Sequence, residues 1–461
     1  MSRRWRSLLL IAAAVAPFAP VLVQAVRLGV PDTLLAGDAA VTELRTLQAA
    51  HGVQFLGPYS RFYWSHPGPA FFYLALPFYE ALGERGPALN IAALVLNIVT
   101  ALAIVLTARR LRGDAFAWMT AAALAVLELI ALPLLPASSW NPLTPVLPLV
   151  LLSLLAARCA LGAFAVVPLF AFVASAIVQT HVGFGPVVAA LVAVVVVAWL
   201  ANRQGSRNGV LIATALVLVV CWALPLYEEL AVRPGNITEL WHFFKGGNPD
   251  THAWGVVFET LRYQLAMMPV VAGAFIFARR HQDAVLRMLA IIAIAEVVVA
   301  IFAVRAIRGE LHSYLLYWTT VPGFMTVAVA AAWVARTRWR AGVAAVVVAT
   351  AVAAIARVAP DAEWRLYDPA DAGVKQVALD VERFITSERL ERPLVRLASE
   401  DAWITTAAVL VHLQKRGIPF YVEPGWTFMF GKQNEDPGGE RVRLSIGNHT
   451  FSVEPAAAPV R

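Results

Sequence analysis

Apolar stretches long enough to cross a bilayer recur along this chain, and most of them stop at arginines. Leu8 to Leu28 comes first, behind Arg3, Arg4 and Arg6. Ala88 to Ala108 follows and runs into Arg109-Arg110-Leu111-Arg112. Further stretches are Ala115 to Leu135, Leu143 to Ala157, Ala163 to Gln179, Pro186 to Leu200, Val210 to Leu226, Phe258 to Ala278, Leu286 to Val304, Leu315 to Ala335 and Gly342 to Ala356. A spanning helix needs ~20 apolar residues, so the pattern predicts a polytopic α-helical membrane protein of about eleven helices. Connections holding Arg158, Arg203, Arg207, Arg279, Arg280, Arg336, Arg338 and Arg340 alternate with connections poor in positive charge. Placing the arginine-rich set inside puts the N-terminus in the cytoplasm and the C-terminus outside.

Composition agrees. The chain of 461 residues is 59% hydrophobic and 15% charged, where a soluble domain carries roughly a quarter charged residues. Its net charge of +7 sits in these topology-setting clusters, which argues against a nucleic-acid surface. Cys159 and Cys221 both fall in or beside apolar segments, so no disulfide framework is implied. Arginine in excess of lysine, with much Ala and Val, suggests a bacterial source and hence the cytoplasmic (inner) membrane.

The segment after the first span, residues 29–69, departs from this pattern. It reads Gly37-Asp38-Ala39-Ala40-Val41-Thr42-Glu43-Leu44-Arg45, then Gly57-Pro58-Tyr59-Ser60-Arg61-Phe62-Tyr63-Trp64-Ser65-His66-Pro67-Gly68-Pro69. Two carboxylates, two guanidinium groups and an imidazole thus gather at a membrane surface. Asp38 would begin a short surface helix ending at Ala50, where an acid meets the positive helix start. It is a candidate catalytic acid or base, and equally a helix cap. Glu43, a second catalytic candidate, lies on another face of that helix and could ligate a metal or pair with Arg45. Arg45, Arg61 and His66 are candidate contacts for a phosphate, since arginine offers a planar, bidentate donor set. Lys245, Arg305 and Arg308 are later candidates of the same kind. Tyr59, Tyr63 and Trp64 serve either as interfacial anchors or as contacts to a sugar or acceptor. Asn141 and His181, at outer helix ends, are further candidates for such contacts. Ala70 to Tyr79 is too short to span and reads as an interfacial helix.

Residues 357–461 change composition, with mixed charge and shorter apolar runs. Helices are expected over Val374 to Arg389 and Ala402 to Arg416. Strands are expected over Leu394 to Ala398, Ile418 to Val422, Thr427 to Phe430 and Val442 to Ile446. This is a small extracytoplasmic α/β domain following a transmembrane domain of residues 1–356.

The order of these pieces resembles the GT-C superfamily of membrane glycosyltransferases, which includes protein mannosyltransferase-like, aminoarabinose transferase-like and RgtA/B/C/D-like enzymes. The resemblance rests on Asp38 with Glu43 just after the first span, the aromatic loop, the Pro-led interfacial helix, the Gly-containing turn and the span ending in Arg109-Arg110. It covers residues 1–201; beyond them the match is one of topology. Relatives often carry Lys-Pro where this chain has His66-Pro67, and Ala39 follows Asp38 where some members have a consecutive Asp-Glu pair. The resemblance implies an inverting transferase at the outer face of the membrane, with a polyprenyl-phosphate sugar as donor and a hydroxyl on a glycan, lipid or protein as acceptor. It implies Asp38 as catalytic base. No cofactor is required, although Asp38 and Glu43 with water could hold Mg or Mn.

Two acids, Glu128 and Glu296, lie deep inside expected spans, where a charge costs ~2.5–3.5 kcal/mol or more. They favour the alternative of a transporter or flippase for a lipid-linked sugar or other anion. Against it, no internal repeat is visible, and the polar residues crowd one membrane face.

Overall fold

The computed structural model describes residues 2–202, 207–247, 251–337, 340–358, 366 and 369–454. Arg203 and Arg338, two of the inward-facing arginines above, lie outside the described residues.

Every expected span meets helix, but they differ in kind. Among the described residues, seven helices are long and apolar enough to cross a membrane: Arg4–Leu28, Ala88–Arg112, Asp114–Ala131, Val182–Ala201, Asn208–Ala231, Ala284–Arg305 and Ser313–Val334. The expected set of about eleven helices takes in these seven together with the shorter or broken helices that follow. Val146–Ala160 and Phe164–Thr180 are apolar but shorter, and fifteen residues of α-helix rise only ~22 Å. The stretch Phe258 to Ala278 is broken into Trp254–Thr260, Arg262–Ala266 and Met268–Arg280, with Pro269 starting the last piece. Arg340–Val358 is a helix of 19 residues.

The outermost helices present apolar side chains outward. Asn208–Ala231 leaves Leu216, Val219 and Val220 at 61%, 65% and 77% exposed. Such a surface is stable only with hydrocarbon against it. The bundle core is built from small and larger aliphatic residues, among them Ala101, Ile104, Leu147, Val150, Leu154, Ala290, Ala293 and Met325. At one end, Asp283 caps Ala284–Arg305 and takes ion pairs from Arg112 and from Arg336, the latter at 3.0 Å. Three helix termini are thereby tied together.

The C-terminal residues form a mixed four-stranded sheet. Its strands are β1 (Leu394–Leu397), β2 (Tyr421–Val422), β3 (Arg443–Ile446) and β4 (Phe451–Glu454), in spatial order β2-β1-β3-β4. Strand β1 is parallel to both neighbours, and β3 pairs antiparallel with β4 through Leu444↔Val453 and Ile446↔Phe451. Helices Ala372–Ser387 and Trp403–Lys415 complete the domain. Thr427–Phe430 is a helical turn, where a strand was expected. Pro424 and Gly425 begin a helical turn, Thr427 Oγ1 donates to the Pro424 carbonyl at 2.9 Å, and the carbonyls of residues 428–430 are taken by side chains of another segment.

That segment is helix Gly37–Ala50. It packs on Trp403–Lys415 and on Ala70–Ala81, and Ala40, Val41, Leu44 and Leu47 share one core with Val377, Val381, Leu410 and Phe430. A helix expected to lie on the membrane surface is instead enclosed between the bundle and the C-terminal domain.

Candidate active site

Residues 57–66 form a tight hairpin-like loop. Ser60 donates to the Trp64 carbonyl at 2.8 Å, His66 to that of Pro58 at 2.8 Å, and Gly57 to that of His66 at 2.9 Å. Two elements pin it. Asn236 exchanges hydrogen bonds with the Ser65 backbone at 3.0 and 2.8 Å, and its own N–H is held by Glu228 at 2.9 Å. On the other side, a Cβ at Gly57 would stand 2.5 Å from the Gln179 carbonyl oxygen, so only glycine fits there.

The loop forms one wall of a cavity of about 810 Å³. Its lining is mostly apolar and aromatic, with a few convergent polar groups, as ligand sites commonly are. Asp38 looks into it from the first turn of helix Gly37–Ala50. Tyr59 donates its phenol to Asp38 Oδ1 at 2.5 Å, and the Trp140 side chain donates a second hydrogen bond to the same carboxylate. Burial raises the Asp38 pKa above the ordinary carboxylate value of 3.8, with these two donors opposing it. Burial, reinforced by the neighbouring carboxylate, also raises the Tyr59 pKa, so Tyr59 stays a phenol and a donor. The result is a carboxylate fixed in direction and more basic than a free one, the condition of a general base.

Cations line the same cavity. Arg61 donates to the Arg308 carbonyl at 2.6 Å, and its buried Nε has no partner among the described residues. Arg308 lies 3.9 Å over the Phe243 ring and donates to the carbonyls of Phe243 and Gly247. His66 and His181 stack on one another in the same cavity, which Trp64, Asn141, Tyr314 and Trp318 also line. One residue comes from the C-terminal domain: Trp403, edge-on to Tyr59 with centroids 6.2 Å apart.

Several sequence candidates are placed elsewhere. Glu43 is fully buried against Tyr79, which donates at 2.9 Å, and Lys415 of the C-terminal domain. It does not line the cavity, so Asp38 and Glu43 do not converge on one ion. Among the described residues no group of three or more His, Cys, Asp or Glu is gathered to hold a metal. Arg45 donates to the carbonyls of Met429, at 3.1 Å, and Phe428, at 2.5 Å. Burial pulls its pKa down to about 10. It fastens the two domains and does not reach the cavity. Lys245 is exposed and off the cavity wall. Arg305 lies 4.3 Å over Trp254 and donates to the His252 carbonyl at 2.7 Å, also off the wall. Tyr63 sits at the loop tip, 66% exposed, with φ +67°.

Sequence reasoning missed Trp140 as a carboxylate partner, and Trp403, Phe243 and Tyr314 as lining. For Trp140 the adjacent Asn141-Pro142 turn was a usable signal. For Trp403 nothing local marks it.

No protein-family model and no curated protein matches the sequence. The chain is similar in structure to ArnT from Cupriavidus metallidurans, whose crystal structure was determined bound to undecaprenyl phosphate. The TM-score is 0.53 at 15% identity, over 96% of this chain and 93% of that one. The two chains therefore share a fold: a bundle of apolar helices with a small C-terminal sheet domain.

Proposed function

We propose that this protein is an inverting glycosyltransferase that moves a sugar from a polyprenyl-phosphate donor to an acceptor hydroxyl at the outer face of the cytoplasmic membrane. The observation that carries this reading is the Asp38 carboxylate, held by Tyr59 and Trp140 at the edge of a cavity that also contains Arg61 and Arg308. The similarity to a protein crystallised with undecaprenyl phosphate supports a donor of that class.

In this mechanism Asp38 takes the proton of the acceptor hydroxyl. The acceptor oxygen forms its bond to the anomeric carbon from the face opposite the leaving group. The bond between that carbon and the phosphate oxygen breaks, and its electron pair leaves with the lipid phosphate. Negative charge grows on the leaving oxygen, where Arg61 and Arg308 oppose it. The apolar walls suit a lipid-borne substrate and keep water from the reacting carbon.

Glu128 and Glu296, the acids that favoured transport, do not line the cavity. Glu296 accepts from Ser153 at 2.5 Å within the bundle. Transfer is preferred for that reason.

The test uses purified protein with a panel of radiolabelled polyprenyl-phosphate sugars, reading release of free lipid phosphate. Asp38→Asn is expected to lower transfer by about 10²–10⁴-fold, with membrane insertion and abundance intact. Full activity in that variant removes Asp38 as base.

A further inference from the structure

His66 and His181 lie against one another with ring centroids 4.5 Å apart and 29° between planes. Both line the cavity and both are buried, at 4% and 8% exposure. Each accepts a backbone N–H on Nδ1: Val182 to His66 and Gly183 to His181, both at 3.1 Å. An Nδ1 that accepts carries no proton, so a neutral ring must carry its proton on Nε2. The two contacts fix the same tautomer in both rings. Burial holds both imidazoles neutral: His66 falls well below its ordinary value, helped by His181 beside it, and His181 falls to about 4. The pair therefore offers two N–H donors side by side and no positive charge.

Neither Nε2 makes a hydrogen bond to the described residues. Neither Nε2 is among the enclosed, unpartnered side-chain atoms of the described residues, and both rings line the cavity, which leaves each Nε2–H able to donate into it. The local backbone is shaped for this arrangement. A Cβ at Gly183 would stand 2.8 Å from His181 Cε1 and 2.9 Å from its Nδ1, so a side chain there would push the imidazole away.

We infer that His66 and His181 form a paired, neutral N–H clamp for the phosphate of the donor lipid, each Nε2–H donating to a phosphate oxygen. This rests on the donor reading above. It divides the work at the phosphate: Arg61 and Arg308 supply charge, and the imidazoles supply direction.

The test measures binding of polyprenyl phosphate, of polyprenol without phosphate, and of inorganic phosphate to full-length protein. Variants are His66→Phe and His181→Phe, which keep a stacked ring, and His66→Gln and His181→Gln, which restore an N–H of similar reach. Each Phe variant should weaken polyprenyl phosphate about tenfold, as loss of a bond to an anion does, and leave polyprenol unchanged. Each Gln variant should return to within about threefold of wild type. Nitrogen-15 spectra of both histidines should show neutral Nε2–H rings at neutral pH, with the Nε2–H protons shifting on addition of the lipid phosphate. Phe variants that bind like wild type, or a ring that is cationic at neutral pH, overturn the clamp. Loss of inorganic phosphate binding alone, with no lipid bound by any form, overturns the lipid assignment. Transfer fails separately: wild-type protein that binds polyprenyl phosphate through this pair, yet releases none from any lipid-linked sugar, leaves the clamp standing without the enzyme.

Discussion

The Tyr59 hydroxyl and the Asp38 carboxylate meet at 2.5 Å inside the cavity. Burial pushes the Asp38 pKa up while this hydrogen bond and that from Trp140 pull it down. A base works when deprotonated, so activity is lost as pH falls through its folded pKa. For the wild type this acidic limb should lie above the 3.8 of an ordinary aspartate. Tyr59→Phe removes a stabiliser of the charged form, which raises the pKa further and moves the limb to higher pH. Trp140→Phe should move it in the same direction. The check is kcat/KM against pH, and a limb unmoved in both variants would separate Asp38 from the rate.

Arg308 and Lys245 make a matched pair for the donor phosphate. Arg308 lines the cavity, whereas Lys245 is exposed and away from it. Arg308→Gln should raise the donor KM about tenfold or more, the scale of a lost charge-assisted bond. Lys245→Gln should leave it unchanged. Equal effects would place the phosphate differently.

Lys415 meets the fully buried Glu43 across the domain contact. Lys415→Met leaves that acid with Tyr79 alone, either charged without a counter-ion or forced to take up a proton. Breaking a buried pair in this way costs about 3 kcal/mol. Thermal unfolding should fall in Lys415→Met and recover in large part when Glu43→Gln is added. A double variant as unstable as the single would show that the pair contributes little.

Arg45 belongs to the same contact. Arg45→Met strands the carbonyls of Phe428 and Met429, each worth about 1–3 kcal/mol when buried and unmet. Stability should drop while the folded fraction keeps kcat within about threefold of wild type, a change too small for loss of a charge-assisted bond. A collapse of kcat at unchanged Tm would return Arg45 to the site.

Trp403 brings the C-terminal domain into the cavity. Trp403→Ala should lower kcat/KM about tenfold by opening that wall, with Trp403→Phe intermediate, since a buried aromatic edge contact contributes about 1 kcal/mol beyond its area. Transfer assays at matched protein stability decide it.

The bundle was legible because lipid imposes a simple rule on sequence: long apolar runs, stopped by arginine. Asp38 was legible because it directly follows the first such run. Glu43 and Arg45 misled because a charge near a membrane surface looks functional when its partner is distant in sequence. Lys415 and the carbonyls of residues 428–430 carry no local mark of that pairing. The strand expected at Thr427 to Phe430 failed for the same reason, because those carbonyls are spent on Arg45 and Gln48. The interruption of Phe258 to Ala278 was foreshadowed by Pro269 alone, and a proline is tolerated often enough in membrane helices to leave it ambiguous.

The placement of Trp403 has a bearing on how the molecule comes into being. During translation the acid is made early and the indole beside it very late, after every lipid-facing helix has been threaded. A ribosome that stalls before the final quarter of the message leaves Asp38 on an unfinished surface, without the partner that closes its chamber. The cavity is thus complete only once the C-terminal domain has folded against helix Gly37–Ala50.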